Sequence, residues 1–179
     1  MKEEKLILVD EQDAMIGSMD KMEVHKNGLL HRAFSIFIFN SKGEMLLQQR
    51  AMNKYHSPGL WTNACCSHPM PGEKTIDAAQ RRLIEELGFE TPIEEIFDFT
   101  YRAEFENGLT EHEFDHVFAG EYEGEIGINP DEVSDFVYKQ VSAIKNDLQT
   151  HPEKFTAWFH IAFPKIEEWW ASKYQKVSA

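Results

Sequence analysis

Cysteine is almost missing from this chain. Its 179 residues hold two, Cys65 and Cys66, and these are neighbours. A single vicinal bridge would be strained and cannot form a disulfide framework, so both thiols are expected to stay reduced, as in a cytoplasmic protein. Basic residues are scarce as well. Eighteen Lys and Arg face 31 Asp and Glu, a formal net charge of −13. Without a basic face the chain lacks the electrostatic footprint of a nucleic-acid binder, and no nucleic-acid partner is expected. An anionic small molecule would need a local cationic pocket, or bound cations, to offset the global field. No apolar run approaches the length of a membrane span, and the Met-Lys-Glu-Glu-Lys start leads into only four apolar residues, so neither membrane association nor a secretory signal is expected. Repeats, low-complexity tracts and interdomain linkers are also missing. The length and a hydrophobic fraction of 42% suit one globular domain over residues 1–179.

What is present is a dense succession of short elements. Lys5–Asp10 reads as a strand. Ala33–Asn40 and Glu44–Arg50 read as a hairpin around Ser41-Lys42-Gly43, with β-branched and aromatic residues on either side of turn residues. Ala51–Pro71 reads as a long loop. Thr75–Leu87 reads as a helix with Thr75 as N-cap, a stripe of Ile76, Ala79, Leu83 and Leu87, and Gly88 as the stop. Asp98–Phe105 and Thr110–Tyr122 flank an Asn107-Gly108 hairpin signal. Asp135–Lys139 reads as a further strand. Ser142–Thr150 and Thr156–Tyr174 look helical, with Pro164 either kinking the last helix or starting another. Strands on both sides of one central helix, with helices at the end, predict an α+β mixed-sheet sandwich.

The long loop carries Trp61-Thr62-Asn63-Ala64-Cys65-Cys66-Ser67-His68-Pro69. Thiols and imidazoles do chemistry near neutral pH, so this stretch suggests a metal centre, a nucleophile or an acid–base pair. Elsewhere, His25 and His31 flank the turn Lys26-Asn27-Gly28. Glu111 and Glu113 alternate along a strand and share a face, with Asp115 next on it; His112 and His116 lie on the other face, as bystanders. Three imidazoles (His25, His31, His68) and two carboxylates (Glu111, Glu113) make a mixed donor set. It suits Mn²⁺, Zn²⁺ or Mg²⁺ better than a thiolate-rich structural zinc site.

Around the helix, Glu73, Arg81, Glu85 and Glu86-Leu87-Gly88 resemble the Nudix box, the loop–helix signature of enzymes acting on diphosphates. Two positions depart from it: Ser67 stands at its first glycine, and Arg82 at one of the metal-binding glutamates of hydrolytic members. The resemblance becomes specific with Trp-Thr-Asn-x-x-Cys-x-His-Pro, an upstream His-x5-His, a downstream Tyr101-Arg102-Ala103 and Glu111-x-Glu113-Phe114. Together these closely resemble type 1 isopentenyl-diphosphate Δ-isomerases over Lys21 to Trp158, with a His25–His31 interval one residue shorter than in the commonest members.

That resemblance implies a Nudix-like mixed β-sheet sandwich flanked by helices. It also implies interconversion of isopentenyl and dimethylallyl diphosphate by protonation and deprotonation through a tertiary carbocation-like state. Carried over position by position, it makes Cys66 and Glu113 the acid–base groups and Tyr101 the phenol assisting Glu113. His25, His31, His68, Glu111 and Glu113 become ligands of one cation, and Glu86 the carboxylate of a second, Mg²⁺ site. Lys21, Arg50, Lys54 and Arg82 become the cationic contacts to the diphosphate, and Trp158 the cover over the hydrocarbon. Its partners are then a small-molecule substrate and, at most, a weakly associating second copy. Two other functions compete. Against a Nudix hydrolase stand Arg82 and a cysteine such an enzyme has no use for; a metal-stabilised binding module would need neither the acid–base groups nor the cationic handles.

Overall fold

The computed structural model describes residues 4–175; of the stretch read above for a leader, residues 1–3 lie outside it. Its organising element is β3 (His31–Phe39), buried at every position but Arg32. Such a run, apolar on both faces, belongs at the centre of a sheet rather than at an edge. Its even residues Phe34, Ile36 and Ile38 pack with Ala78, Ala79, Leu83 and Leu87 of α2 (Thr75–Leu87). Its odd residues Phe37 and Phe39 pack with Val141 and Ile144 of α3 (Val141–Thr150) and with Phe159, Phe163 and Ile166 of α4 (Ala157–Tyr174). The sheet is therefore covered on both faces, which is the expected α+β architecture.

Along one edge β3 pairs in parallel with β8 (Thr110–Glu121), from His31↔Glu113 to Phe39↔Glu121. Along the other it pairs antiparallel with the short β6 (Cys65–Ser67), in register Phe34↔Ser67, Ser35↔Cys66, Ile36↔Cys65. The hairpin of β7 (Ile93–Glu104) with β8 is present, and so is that of β1 (Lys5–Val9) with β2 (Met15–Asp20), an element the sequence pattern did not mark. β4 (Met45–Arg50) pairs with β5 (Trp61–Thr62) and β9 (Val133–Lys139), completing a nine-stranded mixed sheet.

The structure corrects several local expectations. The hairpin around Ser41-Lys42-Gly43 holds only one registered pair, Phe39↔Met45, because both edges of β3 are taken by other strands. Ala51–Pro71 is not wholly loop: β5 and β6 lie within it, so the cysteines sit on a strand. His25 does not flank a turn but lies on α1 (Lys21–Asn27), a helix capped by Asp20 and closed by Gly28 in the left-handed conformation. Thr75 is the first helical residue of α2 rather than its N-cap, which is Lys74 without a side-chain cap bond; Ile76 is 41% exposed and leaves the buried stripe. Gly88 does close α2, at φ 71°, with its N–H donating to Ile84 O. Pro164 lies inside α4, which continues through it.

Candidate active site

The imidazoles come together first. Asp20 accepts from Met22 N (3.0 Å) and Glu23 N (3.3 Å), satisfying the free donors of a helix start, and the short α1 it anchors turns His25 fully inward. His25 Nδ1 lies 2.7 Å from Lys21 O, and His31 Nδ1 2.8 Å from Leu29 O. A carbonyl only accepts, so each Nδ1 carries the hydrogen and each Nε2 a lone pair. Both Nε2 atoms are buried without a partner, as are both nitrogens of His68, and one ring nitrogen of each of the three lies within 4.8 Å of the others. Convergent buried lone pairs without a donor are costly unless a cation accepts them. Burial, helped by His68, lowers the His31 pKa to about 3, and burial also lowers that of His25, so both stay neutral and ligand-competent.

The carboxylates line the adjacent wall. Alternation along β8 buries Glu111, Glu113 and Asp115 on one face. Tyr101, opposite Glu113 on β7, donates within reach of both glutamates: its hydroxyl is 2.6 Å from Glu113 Oε1 and 2.9 Å from Glu111 Oε2. Glu113 Oε2 lies 3.6 Å from His68 Nε2. Burial and the neighbouring Glu113 push Glu111 well up. Burial opposes ionisation of Glu113 too, but contact with the His68 ring and the Tyr101 hydrogen bond together hold it well below the usual carboxylate range. Burial and both glutamates push the Tyr101 phenol up, which keeps it a donor.

β6 separates the cysteines by strand alternation. Cys65, opposite Ile36, points into the core shared with Leu83 and is fully buried. Cys66, opposite Ser35, points into the cleft, with Sγ 3.1 Å from Asn63 Oδ1 and 3.4 Å from Ser35 Oγ. Ser35 in turn donates to Asp115 Oδ2 at 2.7 Å. Burial and the Asp115 carboxylate push the Cys66 thiol up.

Cys66, Glu113, Tyr101, Glu111, His68, Glu86, Trp158, Lys21, Arg50, Lys54 and Arg82 all line one cleft. Of the residues given roles by the resemblance, only His25 and His31 stand behind its wall, against His68. The cations are held by carboxylates. Lys21 pairs with Glu4 at 3.0 Å and Lys54 with Glu132; Arg82 reaches Glu86 at 2.7 Å, Glu85 at 2.6 Å and Glu132 at 3.4 Å. Burial works against the Arg82 charge, yet Glu86 and Glu132 keep its pKa above the ordinary value; burial raises that of Glu86. Arg50 lies 5.1 Å over the buried indole of Trp158 and bonds His56 O at 3.2 Å. His112 and His116 make their contacts outside this cluster: His112 Nδ1 meets Gly28 O, and His116 bridges Asp13 and Glu95.

The structure adds residues that spacing did not single out. His56 lies 3.4 Å from Glu111 and edge-on to Trp158. Ser35 and Asn63 hold Cys66. A serine inside the apolar run Ala33–Phe39 was a readable signal; His56, in a loop with no pattern, left none.

Fold and cleft together define a Nudix domain, and the NUDIX domain family matches residues 29–159. Solved structures with this fold include a MutT protein from Methanosarcina mazei (TM-score 0.63, 19% identity, covering 78% of this chain and 94% of that one) and a C. elegans Ap4A hydrolase (TM-score 0.57, 18% identity, covering 79% and 98%). Sequence likeness is far higher to isopentenyl-diphosphate Delta-isomerases. That of Pectobacterium atrosepticum is 49% identical over 166 residues, 93% of each chain, and that of Serratia proteamaculans 52% identical over 157 residues, 88% of each. The chain belongs to the isopentenyl-diphosphate Delta-isomerase family within the Nudix class.

Proposed function

We propose that this chain interconverts isopentenyl diphosphate and dimethylallyl diphosphate, a step of isoprenoid biosynthesis. The observation that carries the reading is the placement of two proton-handling groups. Cys66 on β6 and Glu113 with Tyr101 on β8 and β7 reach one buried cleft from opposite edges of β3.

Moving the double bond requires a proton added at the terminal alkene carbon and another removed from the carbon nearer the diphosphate. Two groups approaching a five-carbon unit from different sides meet that need. One of Cys66 and Glu113 gives a proton and the other takes one, with Tyr101 passing it across its 2.6 Å bond to Glu113. The unactivated alkene passes through tertiary cationic character, which the π face of Trp158 stabilises without offering a nucleophile. Burial of the cleft keeps out the water that would trap the cation as an alcohol.

Lys21, Arg50, Lys54 and Arg82 bind the diphosphate. Its binding energy positions the alkene. The carboxylates that now pair with Lys21, Lys54 and Arg82 keep these side chains in place until the polyanion displaces them. The orphaned nitrogens of His25, His31 and His68, with Glu111 and Glu113, fit a divalent cation, Mn²⁺, Zn²⁺ or Mg²⁺; Glu86, beside the cationic cluster, fits Mg²⁺ shared with the diphosphate. With such cations bound, Glu113 would be held ionised and oriented and part of the diphosphate charge would be offset.

Product analysis with isopentenyl diphosphate and Mg²⁺ tests the reading. Dimethylallyl diphosphate should accumulate with no phosphate or pyrophosphate released, and nucleoside diphosphates should stay intact. Phosphate release from either substrate would instead favour a hydrolase.

A further inference from the structure

We propose that Asn63 is a positioning residue for the Cys66 thiol, and that Thr62 and Thr156 tie this thiol to the start of the helix that carries Trp158. The proposal rests on the reading of Cys66 as a proton-transfer group.

Asn63 is 1% exposed and sits between β5 and β6. Its Nδ2 donates to Ile36 O and to Cys65 O, each at 3.0 Å. Both partners are carbonyls, so only one orientation of the amide satisfies them, and Oδ1 must face the other way. Two donors meet that oxygen: the Cys66 thiol at 3.1 Å and the Thr62 hydroxyl at 3.0 Å. With its hydrogen committed to Asn63, Thr62 Oγ1 accepts from Thr156 Oγ1 at 3.0 Å. Thr156, the N-cap of α4, accepts from Phe159 N at 3.3 Å. Every donor in this buried chain points the same way, from the α4 N-terminus toward Asn63 Oδ1, and no hydroxyl can reverse without orphaning a neighbour.

The consequence falls on the sulfur. A thiol is a weak donor that turns readily about its Cα–Cβ bond; its other polar neighbour, the Ser35 hydroxyl that donates to Asp115, can accept the S–H only across 3.4 Å, against 3.1 Å for the amide oxygen of Asn63. Asn63 is therefore the acceptor that sets both the rotamer of Cys66 and the direction of its S–H. Trp158, two residues past Thr156 on the helix anchored by the same chain, is placed against the same reference. If Asn63 served only to join β5 and β6 through Nδ2, the Thr62 hydroxyl and the S–H would be indifferent to each other.

The S–H stretching band in Raman spectra separates these cases. The Cys66 band is identified as the one lost in Cys66→Ala and kept in Cys65→Ala. In Asn63→Leu it should move toward the free-thiol position, and kcat should fall about tenfold, the value of one net hydrogen bond, with KM for isopentenyl diphosphate within about twofold. Thr62→Val, which leaves both Nδ2 bonds intact, should shift band and kcat in the same direction by less; it decides alone if Asn63→Leu fails to fold. A band that stays put in these variants, or a kcat that holds while the band moves, overturns the proposal. Because the band is read without substrate, its failure to move counts against the positioning alone, whereas a wild type that turns over no isopentenyl diphosphate counts against the isomerase reading.

Discussion

Cys65 and Cys66 stand one position apart on β6 and face opposite sides of the sheet, so neighbouring residues of one type have different environments. Cys65→Ala should cost roughly 1–2 kcal/mol of stability, read from denaturant midpoints, and leave turnover in place; lost turnover with unchanged stability would reverse the assignment. His56 permits a second test at this scale. Burial, then the Arg50 charge, lowers its pKa from 6.5 to about 3. The folded chain keeps His56 neutral in that window while the unfolded chain protonates it. Its contribution is therefore intact above pH 6.5 and lost as pH falls toward 3. Buried carboxylates with raised pKa titrate the other way, so the comparison must be differential. In chelator, His56→Phe should gain stability relative to wild type between pH 7 and pH 5; a pH-independent difference would contradict it. At this scale the sequence was informative wherever chemistry-bearing side chains recur at short fixed intervals: Cys-x-His, Glu-x-Glu. It was silent on Glu132, whose partners Lys54 and Arg82 lie on other segments and leave no local periodicity; Asn63 stood inside the quoted motif, but its hold on Cys66 is visible only in the folded chain.

Among the elements, α2 was legible from first to last residue because an apolar period and a terminal glycine agree. Its cap was not: Thr75 offered the expected side chain, but Lys74 has the extended backbone of the cap position. α1 was missed because seven residues are too few to show a period, though Asp20 and Gly28 mark its ends. The end of α2 can be tested directly. Gly88 has φ 71°, and a methyl there would meet Gly127 O at 2.5 Å. Gly88→Ala should therefore destabilise by more than about 1 kcal/mol. Since α2 carries Arg82 and Glu86, the strain should also raise KM for isopentenyl diphosphate. A variant with wild-type midpoint and KM would refute this account of the helix stop.

For the whole molecule, the parallel pairing of β3 with β8 places His31 beside Glu113, 82 positions further along the chain. No local pattern encodes such a register, which is why the sequence suggested the donor set without showing that it converges. The five candidate ligands come from α1, β3, the segment after β6, and β8, so one cation would tie two central strands to a helix and a loop. Chelation should lower the melting temperature, and excess Mn²⁺ or Mg²⁺ should restore it, by about 2.7 kcal/mol of linkage at a hundredfold excess over Kd; a melting temperature indifferent to both would remove the metal from the fold. The most direct test of the central claim is deuterium incorporation from heavy water into isopentenyl and dimethylallyl diphosphate with Mg²⁺ present. Wild-type protein should place deuterium at the terminal carbon while the diphosphate stays intact, and Cys66→Ala should place none. No incorporation by the wild type, or undiminished incorporation by Cys66→Ala, would contradict the assignment of proton transfer to this cleft.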